Sequence, residues 1–90
     1  MRATNCSNST ISVSINSWDS SGSASLDWWT LKSGKSESWN RRDLRGYVMA
    51  VQFRGEQFSY FVFADSDIYV YDDYIEDGGR RIRPATDRYC

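Results

Sequence analysis

Ninety residues, of which 40% are hydrophobic, 16% aromatic and 26% charged, fit one compact domain spanning residues 1–90, since domains usually need roughly 100–200 residues each. A net charge of −1, from 11 Lys and Arg against 12 Asp and Glu, leaves no positive field to gather a phosphate backbone or an anionic membrane, so nucleic-acid binding and membrane insertion are disfavoured. Histidine is absent, which removes the usual general base, the Ser-His and Cys-His nucleophile pairs and the commonest zinc ligand.

In chain order, the first clear signal is the alternation of Ile11, Val13 and Ile15 with Ser12, Ser14 and Asn16, the pattern of a half-buried strand. Residues 19–23 carry turn chemistry, and residues 26–31, with Trp28 and Trp29, read as an aromatic strand. Residues 33–35 turn the chain, a short strand follows over 37–40, and residues 41–46 form a polar connection. Tyr47, Met49, Val51 and Phe53 then share one strand face, and a Gly-containing loop over 54–57 leads to a partner over 58–64. That partner is apolar on both faces except at Ser59, which predicts a central strand covered on both sides. Ile68 to Tyr71 resume the alternation, and Gly78-Gly79 precede a last short strand over 80–83. No segment has a helical period. Six or seven short strands with regular turns predict an all-β fold, a single antiparallel β-sandwich or small barrel. Its core is expected to draw on Ile11, Val13, Ile15, Val48, Ala50, Phe61, Val62 and Phe63.

Two cysteines, Cys6 and Cys90, suit a disulfide that closes nearly the whole chain, worth ~4 kcal/mol in the chain-entropy picture. No signal-peptide core follows Met1, so a cytoplasmic protein, or one exported without a signal peptide, is expected. Asn5-Cys6-Ser7 and Asn8-Ser9-Thr10 fit the glycosylation pattern and are read as ordinary polar residues.

Three constellations could carry chemistry. Trp18, Trp28, Trp29 and Trp39 offer flat apolar plates with one N–H donor each, and because neighbours in a strand point to opposite faces, one of Trp28 and Trp29 can be core while the other is not. A sugar ring, with one C–H-rich face and a rim of hydroxyls, needs such a plate plus groups that orient hydroxyls. Trp39-Asn40-Arg41-Arg42-Asp43 supplies plate, amide, guanidinium and carboxylate within five residues, and Trp39 is the favoured stacking ring. In the acidic stretch 65–77, Asp72 or Asp73, beside Tyr71 and Tyr74, offers a further carboxylate for hydroxyls. The same stretch invites a calcium reading, which the EF-hand pattern fails at Ile75 and Pro84. Twelve acids give no means of choosing a glycosidase pair, and a chain this short struggles to build the deep cleft such chemistry needs.

A small, histidine-free β chain rich in Trp and Tyr resembles the small lectins of mushroom fruiting bodies, in particular the α-galactosyl-binding mushroom lectin family. Residues 10–15 and Trp39-Asn40-Arg41 are the most familiar stretches. The resemblance implies binding of terminal galactose without catalysis, and dimerisation for multivalency. A second similarity is to the aegerolysin type of membrane-binding β-sandwich, which implies a membrane-directed defence toxin. The expected function is a non-enzymatic, cofactor-free and metal-free carbohydrate-binding protein acting on glycoproteins or glycolipids as a homodimer. Its expected site is Trp28, Trp39, Asn40, Arg41, Arg42, Asp43, Tyr71, Asp72 and Tyr74. A protein-interaction domain is the reading from another class.

Overall fold

The computed structural model describes residues 1–16 and 28–87. Among these residues, nine strands form two sheets: β1 (Arg2–Asn5), β2 (Ile11–Ile15), β3 (Trp29–Leu31), β4 (Ser36–Ser38), β5 (Tyr47–Phe53), β6 (Glu56–Val62), β7 (Asp67–Val70), β8 (Ile75–Asp77) and β9 (Arg80–Ile82). One sheet runs β4-β1-β7-β8-β9, the other β3-β2-β5-β6. Among the described residues there is no helix, and so none long and apolar enough to cross a membrane.

The all-β sandwich is as expected, with more strands than the six or seven anticipated and with one parallel ladder, β1 against β7. That ladder left no pattern to read, because the inward residues of β1 are Ala3 and Asn5, both fully buried. β8 falls within the acidic stretch, at positions where no strand was expected; Ile75 is its one buried residue, and the strand pairs with β7 and β9. The expected turn over 19–23, the start of the expected aromatic strand at Leu26 and Asp27, and Trp18 lie outside the described residues.

The core is one cluster between the sheets. Ile11, Val13, Ile15, Leu31, Tyr47, Met49, Val51, Tyr60 and Val62 face Ala3, Ile68, Val70 and Ile75, with Trp39 beside them. Four expected core residues are elsewhere: Val48, Phe61 and Phe63 are 45%, 52% and 52% exposed, and Ala50 is half-buried. They share the outer face of the four-stranded sheet. The register pairs Tyr47 with Val62 and Met49 with Tyr60 on the inner side, and Val48 with Phe61 on the outer. β6 is accordingly an edge strand with one covered face, where a strand covered on both sides was expected.

The β5–β6 hairpin is tighter than a four-residue loop. Arg54 and Gly55 turn the chain with φ of 51° and 80°, so both central residues are left-handed, the conformation that matches the twist of the flanking strands. Pairing therefore begins at Phe53 and Glu56. At the other end of β5, Gly46 has φ +88°, and the Phe61 ring lies where a Cβ would stand.

Candidate functional site

The two groups of expected site residues lie at opposite sides of the sandwich. Trp28 and Trp39 belong to the side where β3 and β4 are the edges of their sheets, whereas Tyr71, Asp72 and Tyr74 belong to the turn between β7 and β8.

Trp39 is 8% exposed and belongs to the core, which removes it as a stacking plate. Its backbone N–H donates to the Met1 carbonyl at 2.9 Å, and the Met1 ammonium donates to the Trp39 carbonyl at 3.3 Å, so the segment after β4 is fastened to the start of the chain. Arg41 is also structural: its Nε donates to the Asn16 carbonyl at 3.2 Å and its Nη2 to that of Ile15 at 3.3 Å, capping the end of β2. Asp43 grips Arg45 through both oxygens, at 2.6 Å at closest. The Arg45 guanidinium holds the Asp43 carboxyl below the usual carboxylate range. Asn40 and Arg42 are exposed. The pentapeptide is thus a fastened corner, and its aromatic ring faces inward. Trp28, 42% exposed, and Trp29, 43% exposed, both reach solvent because β3 is an edge. Neither ring is core.

The opposite side holds a cleft of about 720 Å³ between β5–β6 and β7–β9. Phe53, Phe58 and Tyr60 line one wall, Tyr71, Tyr74 and Ile82 the other, with Arg54, Glu56, Asp72, Asp73, Arg81 and Arg83 at the rim. The segment after β9 crosses its edge: the Ala85 N–H donates to the Ser59 carbonyl at 2.6 Å, and Pro84 and Asp87 join the lining.

The rings are ordered. Tyr71 and Tyr74 stack with centroids 4.9 Å apart at 25°. The Arg81 guanidinium lies 5.4 Å from the Tyr74 centroid, and that of Arg54 lies 4.9 Å from Phe53. Burial of Tyr71, with the charge of Glu76 adding to it, raises the Tyr71 phenol above its ordinary value, so it stays a neutral donor and acceptor at neutral pH.

Asp72 ties the cleft walls together. Its Oδ1 accepts from the Asn8 backbone N–H at 3.0 Å, its Oδ2 accepts from Asn8 Nδ2 at 3.1 Å, and Arg54 approaches at 3.5 Å. One carboxylate thereby joins the β1–β2 loop and the β5–β6 turn to the β7–β8 turn. Arg83 pairs with Asp87 at 4.0 Å. Glu56 and Asp73 have no ion pair among the described residues, while Arg81 lies over the Tyr74 ring.

Sequence reasoning overlooked Phe53, Phe58, Glu56 and Arg81 as site residues. Their sole sequence signal was the hairpin that carries the first three and the paired glycines that precede Arg81. The acidic stretch gathers no metal site: among the described residues no three Asp, Glu or Cys side chains come together as ligands. Cys6 is exposed with a free thiol, while Cys90, its expected disulfide partner, lies outside the described residues. No family model, no curated protein and no solved structure matches this chain.

Proposed function

We propose that this protein is a non-enzymatic carbohydrate-binding module whose site is the cleft between β5–β6 and β7–β9. The observation that carries the reading is the meeting, in one cleft of about 720 Å³, of aromatic walls with the carboxylates of Glu56 and Asp73, which have no ion pair among the described residues. That volume falls in the usual range for small-ligand sites. A saccharide makes two opposed demands: its C–H face requires an aromatic surface, and its hydroxyls require donors and acceptors together. Phe58, Tyr71 and Tyr74 supply the first, and the rim charges supply the second. Asp72, already occupied by Asn8 and Arg54, sets the spacing of the walls. Terminal galactose, which the resemblance to mushroom lectins implies, is the first sugar to test.

Binding of the labelled protein to a broad glycan array, in parallel with Asp73→Asn and Trp39→Phe, tests this. Selective signal on one terminal sugar is expected, reduced about tenfold or more by Asp73→Asn, as for loss of a charged hydrogen bond, and retained by Trp39→Phe. An array without signal overturns the reading.

A further inference from the structure

We infer that the ligand is an oligosaccharide of at least two linked sugars, which leaves the cleft over the β5–β6 turn and lays its next ring in a polar groove on the outer face of the four-stranded sheet. The inference rests on the saccharide reading of the cleft and adds a second subsite to it.

The groove, of about 400 Å³, lies among Thr10, Ser12, Gln52 and Gln57. Ser12 pairs with Gln52 across β2 and β5, and Gln52 pairs with Gln57 across β5 and β6. One hydroxyl and two amides therefore stand in a row across three strands. At about 4.8 Å between strands the row is roughly 10 Å long, enough for a sugar ring and its linkage. Hydroxyl and amide groups donate and accept alike without carrying charge, which matches the rim of a sugar. Gln52 Nε2 reaches Gln57 Oε1 only at 3.4 Å, at the long limit of a hydrogen bond, so both amides can turn to a ligand at little cost. Among the described residues no aromatic ring lines this groove. The stacked ring thus belongs to the cleft, and the groove reads the hydroxyls of its neighbour.

Arg54 and Glu56 line the cleft and the groove alike, and so form the saddle between them. Arg54 is held in place: its Nε donates to Ser9 Oγ at 3.2 Å, its Nη2 lies 3.5 Å from Asp72, and its guanidinium lies 4.9 Å from the Phe53 centroid. Glu56 has no ion pair among the described residues, so its carboxylate can accept from a hydroxyl of the sugar on either side. Size points the same way. A hexose has about twelve non-hydrogen atoms, and even at the roughly 30 Å³ that a water holds in the liquid for each, it fills only about half of the 720 Å³ cleft.

Titration calorimetry of the whole chain with the mono-, di- and trisaccharides of galactose, glucose and N-acetylglucosamine, beside Gln52→Ala, Gln57→Ala and Asp73→Asn, tests it. In the series that binds, the trisaccharide is expected to bind about tenfold or more tightly than the monosaccharide, as for two or more added hydrogen bonds. Each glutamine variant should remove most of that gain, whereas Asp73→Asn should weaken binding at every length. Both glutamines are exposed, so their variants should keep the wild-type melting temperature. Equal affinity at all lengths, or a gain that both glutamine variants leave intact, overturns the inference and leaves the cleft as a monosaccharide site. Absence of binding in all three series overturns the inference together with the saccharide reading of the cleft.

Discussion

Asn5 shows how a polar side chain can hold a core together. Its Nδ2 donates to the carbonyls of Ser9 at 2.7 Å and Leu31 at 2.9 Å, while its Oδ1 accepts from the Ser7 backbone N–H at 2.9 Å and hydroxyl at 2.6 Å. Asn5→Ala would strand several of these groups in the interior, and urea unfolding should show a loss of about 2–4 kcal/mol. Trp39→Ala should cost about 3–5 kcal/mol through the cavity it leaves, so any fall in ligand binding would accompany a fall in stability. Tyr60 gives the molecule an alkaline limit. Burial raises its phenol above the ordinary value of 10.0, so the folded state retains a proton that the unfolded chain releases. Its contribution is complete below pH 10 and declines as pH rises through the higher folded value. Tyr60→Phe should flatten that decline in melting temperatures measured between pH 9 and pH 11.

At the scale of elements, the β5–β6 hairpin serves both faces of its sheet. Inward, Phe53 and Phe58 wall the cleft; outward, Phe61 covers Gly46. Gly46→Ala would combine a strained left-handed backbone with a methyl group in the place of the Phe61 ring. A loss of about 2 kcal/mol or more is expected in thermal unfolding, beyond the roughly 1 kcal/mol of a left-handed alanine alone. Adding Phe61→Ala should recover the steric part and leave the backbone part, a non-additivity readable in a double-mutant cycle. β1 is the other critical element. It pairs with β4 on one side and β7 on the other, so it links the β4 edge to the rest of its sheet.

For the whole molecule, the arrangement separates two uses of apolar surface. The core fills the space between the sheets on the side of β2, and at the β6 and β9 side the walls part to form the cleft. Asp72 spans that opening, so Asp72→Ala should weaken ligand binding several-fold while Asp72→Asn, which still accepts a hydrogen bond, should weaken it less; titration calorimetry distinguishes the two. A shallow single site binds weakly, near the millimolar range that corresponds to about −4 kcal/mol.

Much of the fold was legible in the residues themselves. The alternation of Ile11, Val13 and Ile15, the apolar face of Tyr47 to Phe53 and the hairpin glycine each report a local period or a local backbone requirement, and these suffice for an all-β chain. The residues of Tyr71-Asp72-Asp73-Tyr74 were visible as an oxygen-rich aromatic run for the same reason. Tertiary structure alone decided which face of β6 is covered, because a strand apolar on both sides carries no phase and its exposure follows from its place at the sheet edge. It decided that Trp39 is core, since burial depends on Met1 and the β4 edge, far away in sequence. It decided the cleft too: Asp72 meets Asn8 across 64 positions, and only the stacking of the two sheets brings the hairpin at Arg54 to the turn at Tyr71.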